Sequence, residues 1–313
     1  MPATVFWPAA LGLIVLAIGL WTHRRDVFST TLPIDSRIGA LGPVFIAAAI
    51  ATFSGEHFSA VADLSRMVPK WFPQPIPTTY FVGACLLAAG VSFATKKGVP
   101  WSAPLLALAF ALFVLLIYAP SAARHPRLHI VWIFPFREGT FAVAAFSIFV
   151  YATRPAWSGG FALFARFWAA FVIAFYGVLN VKYPQFAPGV PSEVRTAPWV
   201  PFPLAIAYVT GVILAGLGVA AAFRRTAVSA ITLAGALMTV LTIVLYGPAL
   251  FLARGAGQEV VAINFVADTL LFAGSMLVIA SVIGDGQRRS QTALGGSKEA
   301  IDRMPLSELA GRR

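Results

Sequence analysis

The chain is poor in charge. Asp, Glu, Lys and Arg make up 11% of its 313 residues, hydrophobic types make up 59%, and mean hydropathy is +0.82. Water-soluble domains carry charge on about a quarter of their residues. A chain this apolar cannot cover itself with polar groups, and its composition asks for lipid as solvent. Cysteine is almost absent. The single Cys85 excludes an intramolecular disulfide and a Cys-x-x-Cys redox pair, and its setting, FVGACLLAAG, suits an inert apolar side chain. Histidine occurs four times, and no apolar run holds one at its centre, which speaks against haem ligation. His125 and His129 are four apart, but Pro126 interrupts them, so no helical metal pair forms and no metal site is predicted. There is no glycine-rich phosphate loop, nucleophile elbow or His-Glu-x-x-His motif. The residues give no basis for an independent catalytic activity.

What the chain does have is length of apolar sequence. A membrane-spanning helix needs roughly 20 apolar residues, since each adds about 1.5 Å across about 30 Å of hydrocarbon. Nine runs qualify, at Pro8–Trp21, Gly39–Phe58, Thr79–Ala94, Trp101–Tyr118, Phe134–Thr153, Phe161–Val181, Pro203–Phe223, Ala227–Leu252 and Val260–Ile283. Lipid offers backbone groups no hydrogen-bond partners, so each must be helical. The expected fold class is all-α, a polytopic membrane protein with about nine transmembrane helices, and the lipid bilayer is its first partner.

The basic residues give the orientation. Net charge is +11 and the isoelectric point is near 10.4. Lysines and arginines stand as pairs between apolar runs rather than in one patch, so nucleic acid is excluded as a partner. The first run lacks a basic start and a small-residue cleavage site, and Arg24 and Arg25 follow it, so it reads as an uncleaved helix. Fourteen of the 23 basic residues then fall on one side, including Arg37, Lys96, Lys97, Arg154, Arg224, Arg225 and the tail. By the positive-inside rule the N-terminus is outside and the C-terminus cytoplasmic.

A repeat is visible at an offset of 128. WFPQPIPTTYFVG from Trp71 aligns with WVPFPLAIAYVTG from Trp199, Lys96-Lys97 falls on Arg224-Arg225, and Tyr118-Ala119-Pro120 falls on Tyr246-Gly247-Pro248. An even number of crossings per copy implies two tandem parallel four-helix repeats. The expected organisation is an N-terminal helix and inner loop at 1–38, repeat one at 39–154, repeat two at 155–284 and a mobile cytoplasmic tail at 285–313, with a short helix around Ser297–Arg303.

The stretches TFSGEHF, VPKWFPQPIPTTYFVGACLLAAG and LIYAP of the first copy resemble the DoxX-like family of bacterial integral membrane proteins. FYGVLNVKYPQF, WVPFPLAIAYVTGVILAGLG and NFVADTLLFAGSMLVIAS of the second are similar to the same pattern. The resemblance covers most of residues 39–284. It implies a place in the bacterial inner membrane and in redox chemistry, as a subunit or scaffold of a quinone-linked complex beside a membrane or peripheral oxidoreductase subunit. It supplies quinone as the one candidate cofactor and no catalytic residues. The duplication and the extra helix depart from the family's four-span form.

Charge inside a span costs about 2.5–3.5 kcal/mol on insertion scales and needs a reason. Glu56, Glu138 and Asp268 stand out, the last two on corresponding helices at an offset of 130. Two readings stay open, a proton or ligand site in each bundle, with a cavity beside Glu138 and another beside Asp268, or ion pairs that hold helices together. Arg137 adjoins Glu138, and Arg166 is placed to reach Asp268 if their faces meet. His57, next to Glu56, completes the candidate set. The segment Ser59–Phe72 carries apolar residues at helical spacing and could lie flat on the membrane or cover a lipid-like ligand. These carboxylates also support a different function, a transporter or carrier for a small molecule or proton.

Overall fold

The computed structural model describes residues 3–190, 195–197, 199–253 and 255–302, with the backbone alone at 256 and 290–302. It is 82% helical, and among the described residues there is no strand beyond a single bridge between Phe186 and Arg195. Among the described residues nine helices are long and apolar enough to cross a membrane: α1 Ala3–Val27, α2 Ile34–Ser59, α3 Pro75–Thr95, α4 Val99–Arg124, α5 Ile130–Thr153, α6 Ser158–Lys182, α7 Pro203–Ala222, α8 Ala227–Leu252 and α9 Gly257–Arg289. Each contains one of the nine apolar runs, extended at one end or both, except that α8 coincides with its run and α7 stops one residue short at Ala222. The chain is a multi-pass α-helical membrane protein.

Burial ranks the helices. In α9 78% of the apolar window is buried, in α2 67% and in α5 56%, against 22% in α4 and 28% in α1. The centre of the bundle is therefore α9, which packs on α2, α5, α6 and α8, while α1, α3, α4 and α7 lie outside with large side chains such as Trp101, Leu105, Val209 and Val212 facing outward. Outward apolar side chains suit a lipid solvent. The inner contacts are made close by small residues. A Cβ placed on Gly274 of α9 would stand 2.7 Å from the Gly42 carbonyl oxygen and 2.9 Å from the Ile46 nitrogen of α2, so the two backbones touch.

Local backbone features recur at the spacing seen in the sequence. Gln74 and Phe202, 128 apart, both adopt left-handed conformations, with φ of 52° and 49°, immediately before Pro75 and Pro203 start α3 and α7. Proline suits that first position because its missing N–H has no helical partner to lose. A π turn at Val114–Tyr118 interrupts α4, and another at Thr242–Tyr246 interrupts α8, again 128 apart.

Polar contacts tie the basic turns together at one end of the bundle, hereafter the basic end. Lys96 Nζ lies 2.6 Å from Asp26 Oδ2, Arg37 donates to the Val27 carbonyl at 3.1 Å, Arg288 reaches Ser36 at 3.5 Å, and Gln287 donates to the Arg224 carbonyl at 2.9 Å. Lys96-Lys97 and Arg224-Arg225 thus share an end. The helix of α9 continues past this end to Asp302, aided by an Arg289–Asp285 pair at 2.9 Å, where the sequence predicted a separate tail. In that tail the 303–313 part, with Arg303, Arg312 and Arg313, lies outside the described residues, as does Arg254.

At the opposite, distal end the two connecting segments differ. Ser59–Phe72 is not the continuous amphipathic helix its spacing predicts. It makes one α turn at Val61–Leu64 and a 3-10 turn at Ser65–Met67, and Pro69 and Pro73 prevent more. The segment after α6 instead folds into the bundle. Asn180 donates to the Gly189 carbonyl at 2.9 Å and accepts from its N–H at 3.1 Å, Tyr246 donates to the Pro188 carbonyl, and Ala187, Pro188 and Gly189 are buried.

Candidate functional site

The sequence of α5 puts Arg137 and Glu138 side by side about 10 Å from its distal start at Ile130, with seven residues at about 1.5 Å each. Apolar neighbours Ile133, Phe141 and Ala144 bury that face. Arg137 cannot leave a guanidinium unpaired there, and three bonds answer it. Its Nη1 donates to Asp268 Oδ2 of α9 at 2.6 Å, and its Nη2 and Nε donate to Glu138 Oε1 at 3.0 and 3.3 Å. The side chains are only 14%, 8% and 21% exposed for Arg137, Glu138 and Asp268, so these are interior charge-assisted bonds, stronger than surface pairs. The Phe134 ring lies 5.0 Å from the guanidinium carbon and the Tyr118 hydroxyl is beside it.

Around the centre two further polar side chains are satisfied locally. Tyr176 of α6 donates to the Ile133 carbonyl at 2.8 Å, and Trp168 donates to Thr140 Oγ1 at 3.1 Å. Nearer the basic end the environment becomes mainly apolar, with Phe141 in edge contact with Phe110 at 5.5 Å, with Phe272, Met276 and Ile279 fully buried, and with the buried Ser147 and Ser275 hydroxyls bonded to carbonyls of their own helices. The polar centre is thus closed off from the basic end.

Glu56 approaches from α2. It lies three residues before the helix ends at Ser59, is 7% exposed, and is electrostatically coupled to Asp268. Its Oε1 is buried with no hydrogen-bond partner. One guanidinium thus bonds two carboxyl groups, and a third, Glu56, lies on the Asp268 side of the centre.

The five residues singled out by sequence divide accordingly. Glu138 and Asp268 share one guanidinium, which replaces the expected two separate cavities with one centre. Glu56 belongs to it. His57 turns the other way, with Nδ1 donating to the Phe53 carbonyl at 2.8 Å and its Cβ against Gly83 of α3. Arg166 does not supply Asp268, because Arg137 does. Its guanidinium sits over Phe167 at 4.6 Å and its Nε is buried without a partner. His129 stacks on Tyr183 at 3.8 Å, and among the described residues no three His, Cys, Asp or Glu converge as a metal site.

Two tyrosine–phenylalanine stacks join α4 to α5 and α8 to α9. Tyr118 stacks on Phe134 at 5.6 Å, and Tyr246 stacks on Phe265 at 5.2 Å. The tyrosines are 128 apart and the phenylalanines 131. Arg137 and Asp268 each lie three residues after the phenylalanine of their own stack.

Fold and site together define a polytopic helical membrane protein with a buried ionic centre in the distal half of its bundle. The chain matches no family model, no curated protein and no solved structure.

Proposed function

We propose that the chain is a carrier in the bacterial inner membrane, N-terminus outside and C-terminus cytoplasmic, that moves protons or a small proton-coupled solute through the Arg137–Glu138–Asp268–Glu56 centre. The observation that carries this reading is the imbalance of charge-bearing groups, three carboxyls to one guanidinium, in a place where a charge without a partner is costly. A centre built only to lock helices has no need of the third carboxyl. The surplus is answered by a species that comes and goes. The closely packed, mainly apolar layer around Phe141, Phe272, Met276 and Ile279 blocks direct passage, so transfer requires α5 and α9 to move against their neighbours, as in alternating access.

The test is reconstitution of the purified protein in vesicles loaded with a pH-sensitive dye, with an imposed proton gradient and potential. Wild-type protein dissipates the gradient and Asp268→Asn does not. A wild-type protein that leaves the gradient intact, or a variant as fast as wild type, overturns the reading.

A second reading, a subunit or scaffold of a redox-associated, quinone-linked complex, is supported by the DoxX-like stretches at 52–58 and 68–90 and their counterparts in the second half. It predicts stabilisation by a quinone analogue and co-purification of an oxidoreductase in mild detergent.

A further inference from the structure

We infer that Glu56 is the proton-exchanging group of the centre, and that Arg137 holds Glu138 and Asp268 as fixed partners. This rests on the carrier reading and names both the species that binds and the atom that takes it. The argument is one of geometry. Glu138 and Asp268 are each bonded to a guanidinium that has little freedom, since it bonds both and sits against Phe134. Glu56 has a buried carboxylate oxygen with nothing bonded to it. It is also the carboxyl nearest an end of its own helix, about 4.5 Å along the axis from Ser59.

The neighbours of Glu56 leave few alternatives. From α9 the charged group that faces it is Asp268, with Arg137 and Glu138 of α5 and the Tyr118 hydroxyl of α4 behind. From α3 come Gly83 and Tyr80, the latter stacked on Phe58, and from α1 come Trp7 and Pro8 against Gly55. On its own helix His57 is committed to the Phe53 carbonyl. No cation among these is free to pair with Glu56, and a proton is the one cation that needs no cavity. The step is simple. Water at the distal end gives up a proton, an O–H bond forms at the Glu56 carboxylate, hydroxide stays in the water, and the reverse step returns the proton.

Infrared difference spectra of the full-length protein in lipid, titrated from acid to alkaline pH, test this through the carbonyl stretch of a protonated carboxyl. Wild type shows a band that vanishes as pH rises. Glu56→Gln abolishes it, Glu56→Asp keeps it at shifted frequency, and Glu138→Gln keeps it unchanged. An unfolding midpoint equal to wild type shows that Glu56→Gln is folded. A band that persists in Glu56→Gln, or no band in wild type, overturns the inference. The two proposals fail separately, since a Glu56 band in a protein that moves no protons sinks the carrier and spares the titration, while Asp268-dependent flux without a Glu56 band does the reverse.

Discussion

Arg137 shows how one residue can hold two helices to one geometry. It bonds Asp268 across to α9, bonds its own neighbour Glu138, and rests on Phe134. Removing one partner of a buried pair leaves the other charge stranded and costs about 3–5 kcal/mol, whereas removing both costs less. Arg137→Ala is therefore expected to lower the thermal unfolding midpoint in detergent sharply. The double variant Arg137→Ala, Asp268→Ala should recover part of the loss, and a double variant that is additive would show that the two residues are not coupled. The carboxylates were legible in the sequence because ionisable residues within apolar runs are rare. The pairing was not. Arg137 and Asp268 are 131 positions apart, and nothing in composition says which face of α5 meets which face of α9. Arg166, equally conspicuous in its run, sits over Phe167 instead.

At the scale of elements, the meeting of α2 with α9 sets where Glu56 stands relative to Asp268. That contact depends on Gly42 and Gly274, whose backbones approach to the point that any side chain would collide. Gly274→Leu should push α2 away, lower stability by about 1–3 kcal/mol, and separate Glu56 from the centre. The measurement is the unfolding midpoint together with the carboxyl infrared band, and an unaltered band would detach Glu56 from the packing of these helices. The nine helices could be read from run length because lipid imposes one solution on the backbone. The connecting segments could not. Ser59–Phe72 has helical spacing but Pro69, with Pro73 just beyond, cuts it short, and the burial of Ala187–Gly189 depends on Asn180, a polar residue late in an apolar run whose partner lies nine positions on.

For the whole molecule, the contacts at the basic end gather Asp26, Lys96, Ser36, Arg288, Gln287 and Arg224. The proposed topology puts all of them on the cytoplasmic side. Cys85, the only cysteine, can be replaced by Ser to give a clean background. Lys97→Cys and Arg225→Cys should then react with an impermeant thiol reagent from the same side of sealed vesicles, inverted ones labelling and right-side-out ones not. Labelling of the two from opposite sides would break both the topology and the parallel arrangement of the halves.

The paired π turns at Val114–Tyr118 and Thr242–Tyr246 carry a historical consequence. A π turn is a helix that has swallowed one surplus residue, a local defect that tends to be kept only where it serves a purpose. Two such events at equivalent places would be a coincidence. If the halves descend from one gene segment, a single insertion came first and the copying second, and the ancestral half already possessed the irregularity that both descendants retain.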